Sequence, residues 1–288
     1  MPLISASPKA YPEVSYCNPT DPLMRRALVR LVEYMTGQPK LQRIYDAYKA
    51  SSGAEEDFWA SAVEWLKLSV LFDESKLDNL PKEGPLVIIA NHPYGVLDGI
   101  AVSYLVSRVR PDFKLLAHAV LGRAEPLRPF LIPIEFEGAS SAVRTNVHAK
   151  RAALDHLANG NSLLIFPAGR VSTSAKTFGQ ATDAPWKMFA GKLIAQSGAT
   201  VVPIFCEGQN GWLFHFVSKF SESLREALLM REVATRIGSE VRTHIGAPIP
   251  SELLEGFRDR QLLLDHLRRT VYGLSPNAPK LIGSPAQS

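Results

Sequence analysis

Cysteine is scarce: the chain has two, Cys17 and Cys206. Two thiols cannot build a disulfide framework, and both read as free groups in a reducing compartment. The seven histidines do not fall with cysteine at metal-ligand spacing, so no metal site is expected; separately, no cofactor is expected. A Gly-x-Ser-x-Gly elbow is missing, which argues against ester or thioester hydrolysis by a nucleophilic serine. No apolar run reaches the roughly 18 to 20 residues of a membrane-spanning helix. Residues 1–8 have neither the basic nor the apolar stretch of a secretory signal. Internal repeats and low-complexity blocks are also absent.

What is present is ordinary globular material: 288 residues, 46% hydrophobic and 21% charged, with net charge +4. That is enough for one large domain and a small appendage, with a bias toward anionic partners. Nucleic acid is not among the partners expected. Much of the positive charge falls early. Between residues 22 and 45, Arg25, Arg26, Arg30, Lys40 and Arg43 face the single acid Glu33, a local +4. Asp21-Pro22 caps a helix whose Leu23, Met24, Ala27, Leu28, Leu31, Val32 and Met35 form one apolar stripe. Such a helix either lies on an anionic lipid surface or packs on its own core. A second amphipathic segment follows at 41–50, and a third begins after Glu55, Glu56 and Asp57.

Leu68, Val70 and Phe72 alternate as a strand, and a polar loop leads into an apolar run at 85–90. Beyond it, helices are expected over 99–109, 140–158, 184–196, 221–236 and 258–272. Strands are expected over 113–119, 131–136, 162–166, 200–205 and 240–245. This alternation predicts an α/β fold, a mostly parallel central sheet flanked by helices, with an N-terminal amphipathic helical appendage. The boundaries expected are an extended arm (1–20), the appendage (21–67), the α/β domain (68–274) and a frayed tail (275–288).

The stretch around which the rest is organised is Pro85-Leu-Val-Ile-Ile-Ala-Asn91-His92-Pro93-Tyr94-Gly95-Val96-Leu97-Asp98-Gly99. A strand stops at His92, turns through proline and glycine, and puts Asp98 where a helix begins. An imidazole can take a proton from a hydroxyl near neutral pH, and a carboxylate on its other nitrogen sets the tautomer and stabilises the imidazolium. The plainer alternative is a core histidine beside a helix-start aspartate. A second strand ends in Phe166-Pro167-Ala168-Gly169-Arg170-Val171-Ser172. There Gly169 permits close backbone approach, Arg170 offers a planar fork for phosphate or carboxylate, and Ser172 adds a hydroxyl. A third ends in Val202-Pro203-Ile204-Phe205-Cys206-Glu207-Gly208-Gln209-Asn210, read as wall and shape.

These three blocks resemble the glycerolipid (lysophospholipid) acyltransferase superfamily over about residues 80–250. The branch most similar is the hemolysin-like one, which includes acyltransferases of lyso-amino-acid lipids such as lyso-ornithine lipid. The resemblance implies an O-acyltransferase that moves a fatty acyl group from an acyl thioester, on acyl carrier protein or coenzyme A, to the hydroxyl of a lysolipid. His92 and Asp98 are then the catalytic pair. Asn91, Gly95, Gly169, Arg170 and Ser172 are expected to contact substrate, with Arg144 and Arg128 as further candidates for the acceptor's anionic head. It also implies a cytoplasmic protein, peripherally attached to the anionic inner face of the membrane. Two departures stand out. Five residues separate His92 from Asp98 where the superfamily has four, so the extra one must be absorbed in the turn at Gly95. The usual Phe-Pro-Glu-Gly-Thr-Arg-Ser lacks its glutamate here, which points away from ordinary lysophosphatidate as acceptor. A non-catalytic lipid-binding module on the same fold is the alternative.

Overall fold

The computed structural model describes residues 22–35, 37–51, 57–135, 142–174, 176, 178–220, 222–279 and 281. In chain order the elements are α1 (Leu23–Met35), α2 (Gln38–Ser51), α3 (Phe58–Trp65), β1 (Ser69–Leu71), β2 (Leu86–Ala90), α4 (Val96–Ser107), β3 (Lys114–His118), β4 (Leu131–Ile134) and α5 (Ala142–Ala158). There follow β5 (Ser162–Ile165), α6 (Met188–Ser197), β6 (Thr200–Cys206), α7 (Trp212–Val217), α8 (Glu222–Thr235), β7 (Glu240–Ile245), α9 (Ser251–Glu255) and α10 (Arg260–Tyr272).

The strands form one seven-stranded sheet in the order β1-β7-β6-β2-β5-β3-β4. Neighbours run parallel except β6 and β7. The fold is thus the expected α/β sheet flanked by helices, with one antiparallel pair. That pair arises because the chain leaving β6 folds into α7 and α8 and re-enters the sheet from the edge it had just left.

β2 is central, and every one of its residues is buried. Val87 and Ile89 join the cluster made with α5, α6 and α10, while Leu86, Ile88 and Ala90 join the one made with α3 and α4. Burial on both faces is why this strand reads as an unbroken apolar run instead of alternating. The N-terminal helices divide their contacts. Trp59 of α3 reaches the core beside Phe113 and Phe130, whereas α1 and α2 rest on α8.

Differences from the sequence reading have local causes. α4 starts at Val96 because Gly95 takes the N-cap and Asp98 falls in the first turn. α6 starts at Met188, four residues later than expected, because Asp183 and Trp186 are drawn into the interior. The six residues of α7 carry too short a pattern to register as a helix. The expected arm (1–20) and the expected cap Asp21 lie outside the described residues. The expected tail starts firmly fastened: Ser275 is buried and its hydroxyl donates to Glu207 Oε1 at 2.6 Å, and Ala278 packs on the core.

At the opposite end of the strands from His92, Arg110 ties three loops together. Its guanidinium donates to both Asp112 oxygens at 2.8 Å and to the carbonyls of Pro81, Gly84 and Gly160. Asp112 in turn accepts from the Ser162 amide at 2.9 Å. Removing one partner of such a group strands the others, so Arg110→Ala should cost about 3 kcal/mol or more in urea unfolding. Turnover per folded molecule should be unchanged, because His92 and Asp98 lie at the other end of the sheet.

Candidate active site

The register brings three strand ends to one edge: Ile89 pairs with Ile165, and Ala90 with Ile204. The residues that follow these pairs are Asn91-His92, Phe166-Pro167 and, in β6 and just beyond it, Phe205-Cys206-Glu207. In an open parallel sheet this carboxyl edge is where ligands are held.

His92 Nδ1 and Asp98 Oδ2 are 2.8 Å apart. Asp98 is fully buried, while the His92 side chain keeps 18% exposure. The carboxylate also accepts the Tyr94 amide at Oδ1, 2.9 Å, and the Gly95 amide at Oδ2, 3.1 Å. With two N–H donors already on this acceptor-only group at a helix start, Nδ1 carries the proton and donates, leaving Nε2 as the free ring nitrogen. Gly95 has φ +86°, and a Cβ there would come within 2.9 Å of Val171 Cγ2. The turn that absorbs the extra residue therefore requires glycine at this position. The imidazole stacks on Phe166, centroids 4.0 Å apart at 26°.

The backbone of His92 is held from both sides. Its carbonyl accepts the Ser172 amide at 2.8 Å, and its amide donates to Asp183 Oδ1 at 3.1 Å. Asp183 also takes the Ser172 hydroxyl at 2.5 Å and the Trp186 indole at 2.9 Å. Its own amide donates to the Tyr272 hydroxyl, and Arg268 donates to its carbonyl. Burial pushes the Asp183 carboxyl up, opposed by the hydrogen bonds from Ser172, Trp186 and His92. Asp183 was not singled out from the sequence. It lies 91 residues from the histidine it holds, and Asp183-Ala-Pro-Trp186 carries only the weak signal of a helix start.

The other expected residues separate into groups. Asn91 is buried, its amide bridging the Cys206 backbone: Oδ1 accepts from the amide at 2.7 Å and Nδ2 donates to the carbonyl at 2.9 Å. Ser172 is buried with its hydroxyl on Asp183. Both side chains thus face protein partners. Gly169 sits in the turn after β5 at φ +65°. Arg170 beside it is exposed, with no hydrogen-bond or ion-pair partner among the described residues. Arg144 is exposed in the first turn of α5, past β4. β4 itself is three strands from β2, roughly 14 Å at ordinary strand spacing. Arg128 donates to the Gly122 carbonyl at 2.8 Å on the surface.

The third block packs closely on the first. A Cβ at Gly208 would overlap the Tyr94 hydroxyl at 1.8 Å, and the Tyr94 ring lies 4.4 Å beneath the Arg236 guanidinium. Glu207 takes His244 Nε2 at 2.7 Å as well as Ser275. Burial pushes its carboxyl up, but those hydrogen bonds outweigh it and hold it low. Burial raises the Cys206 thiol well above its usual range, which keeps it inert. No group of three His, Cys, Asp or Glu among the described residues is placed to hold a metal.

On the far side of α4 lies an apolar cavity of about 190 Å³ whose walls include Leu41, Ile44, Phe58, Val96, Ile100 and Met230. One helix therefore carries Asp98 on its inner first turn and lines this cavity with Val96 and Ile100.

Comparison with known proteins gives the family. A family model described as acyltransferase matches residues 57–256. The chain belongs to this acyltransferase family. It is 26% identical over 257 residues to the lyso-glycine lipid O-acyltransferase of Phocaeicola vulgatus, covering 86% of this chain and 88% of that one. It is 26% identical over 226 residues to the protein of the same name from Bacteroides thetaiotaomicron, covering 76% and 79%. Among solved structures, the 1-acyl-sn-glycerophosphate acyltransferase PlsC of Thermotoga maritima is similar at TM-score 0.47 and 18% identity, covering 89% of this chain and 99% of that one.

The Asn91 geometry makes a distinct forecast. Asn91→Ala orphans two backbone groups at the carboxyl edge of the sheet and should cost about 2 kcal/mol in stability. It should also lower kcat more than it raises the acceptor KM. Unchanged stability with a raised KM would instead mark Asn91 as a substrate contact.

Proposed function

We propose that this acyltransferase moves a fatty acyl group from an acyl thioester, on acyl carrier protein or coenzyme A, to the hydroxyl of a lysolipid, with His92 as general base. Nε2 takes the proton of the acceptor hydroxyl as its oxygen attacks the thioester carbonyl. The new C–O bond forms, the C–S bond breaks, and the thiolate leaves with the proton returned from Nε2. Asp98 keeps Nδ1 protonated and stabilises the imidazolium. No covalent enzyme intermediate is needed, because a thioester is already activated and alignment supplies much of the remaining rate.

The observation that carries this reading is the His92–Asp98 pair on the same helix start that walls the apolar cavity. A cavity of that lining suits an alkyl chain, and α4 would set the chain's end against the base. Arg170, exposed at the same edge and unpaired among the described residues, is assigned to the acceptor's anionic head, with the Gly169 turn allowing close approach. The names of the relatives in Phocaeicola and Bacteroides, together with the missing glutamate at Ala168, favour a lyso-amino-acid lipid over lysophosphatidate. Asn91, Gly95 and Ser172 serve by shaping the edge, and Arg144 is left without a role.

No helix among the described residues is long and apolar enough to cross a membrane. The reading is peripheral attachment to an anionic inner leaflet through residues 21–67. In its support, Leu23, Met24, Leu28, Leu31 and Met35 of α1 are all exposed, while Val29 turns inward to Ala227. Apart from Val32, which packs inward, the apolar stripe faces away from the protein, as a helix lying on lipid would hold it.

The test uses labelled acyl donor and a panel of lysolipids. His92→Ala should lower kcat by about 10²- to 10⁴-fold, and Asp98→Asn by about 10⁴-fold through the wrong tautomer, each with folding retained by circular dichroism. Full turnover in folded His92→Ala would overturn the mechanism. Arg170→Ala should raise the KM of the acceptor more than that of the donor. Ile100→Trp should shift donor preference toward shorter chains.

A further inference from the structure

A second apolar surface, separate from α1, borders the edge that carries His92. Phe178 is 86% exposed, Trp212 56%, Phe216 43% and Phe220 73%. Phe178 and Trp212 lie with ring centroids 6.2 Å apart, and Phe216 and Phe220 with theirs 5.2 Å apart. Trp212 and Phe216 are one turn apart on α7, so they share a face. The face beneath, with Phe214 and His215, is fully buried.

These side chains are held out by built structure. The segment after Ser172 closes on itself where Thr173 and Thr182 exchange amide–carbonyl bonds of 3.2 and 3.1 Å. The Gln209 side chain then braces it to the turn before α7: Oε1 accepts the Ala181 amide at 2.7 Å and Nε2 donates to the Gly179 carbonyl at 3.2 Å. Ser172 itself bonds the His92 carbonyl, so the aromatic rim and the base share one short stretch of chain. A contiguous patch of exposed large aromatics on braced backbone marks an interaction surface.

Charge says which kind. Along 170–188 and 208–220 the lysines and arginines are Arg170, Lys176, Lys187 and Lys219, all exposed, and the one acid, Asp183, is wholly buried. Aromatic rings flanked by exposed cations fit a lipid–water interface with anionic headgroups, where rings sit at headgroup level and cations near phosphate. α7 and α1 both rest on α8.

We infer that Phe178, Trp212, Phe216 and Phe220 form a second membrane-docking surface, which seats the mouth of the catalytic edge on an anionic bilayer. The inference rests on the acceptor being a bilayer lipid, but its test needs no turnover. Partitioning onto phosphatidylglycerol/phosphatidylcholine vesicles is compared for wild type, Phe178→Ser/Trp212→Ser/Phe220→Ser, and Arg26→Glu/Arg30→Glu.

At about 0.5 M salt, where the Debye length is about 4 Å, charge is screened and apolar burial persists. There the aromatic variant should bind about tenfold or more weakly than wild type, while the charge-reversed one should lose its binding mainly at low salt. Lipids brominated near the headgroup should quench tryptophan emission in the bound wild type. Trp212→Phe should remove most of that quenching and keep the binding. Activity on a soluble short-chain acceptor should be the same in the aromatic variant as in wild type, so failure of the catalytic reading and failure of this one are separable. Equal partitioning of the aromatic variant, or bound protein with unquenched Trp212, would overturn the inference. So would a solution dimer that the same triple substitution dissociates, which would give the patch to a second copy of the chain.

Discussion

Asp98 receives three hydrogen bonds at once, from the amides of Tyr94 and Gly95 and from His92 Nδ1. It is buried, and no guanidinium or ammonium among the described residues pairs with it, so these donors and the positive end of α4 replace the water it gave up. The same contacts close the Pro93–Gly95 turn, start the helix and choose the histidine tautomer. Turn geometry and imidazole orientation share one carboxylate here, which is why a glycine with positive φ is tolerated, and needed, three residues before it.

The rest of the edge is arranged to keep that unit from moving. Asn91 locks the end of β2 to the end of β6, and Asp183 locks the His92 backbone to the Ser172 segment and, through Tyr272 and Arg268, to α10. Each brace joins segments remote in sequence using a buried side chain whose polar atoms are satisfied, the condition under which buried polar groups add rigidity instead of cost. Burial raises the Asp183 carboxyl, opposed by the hydrogen bonds from Ser172, Trp186 and His92, and two of those donors, Ser172 and His92, belong to the edge itself.

The unpartnered apolar surface is placed elsewhere. The apolar cavity lies between α4 and the N-terminal helices, and the exposed apolar side chains lie on α1, on α7 and at Phe178. α4 is the link, with Asp98 turned to the sheet edge and Val96 and Ile100 turned to the cavity. A partly exposed imidazole and an apolar cavity thus meet at one helix start, the arrangement that the proposed acyl transfer from a thioester to a hydroxyl calls for.

Much of this was legible along the chain. The sequence by itself determined the alternation of strands and helices, the doubly buried central strand, and the His92–Asp98 pair with its glycine turn, because all of these rest on periodicity or on contacts within a few residues. It also carried the family, through blocks that each end a strand. Tertiary structure alone decided that Asn91 and Ser172 face protein partners, that Asp183 stands beside a histidine 91 residues away, and that Arg144 follows a strand three places from the one that ends at His92. It decided as well the reversed direction of β7 and the outward turn of the α1 stripe. An apolar stripe states that a helix will hide one face from water and does not state against what; a buried polar side chain states that it needs a partner and does not name it. Those choices follow from strand order and register, which no local pattern contains.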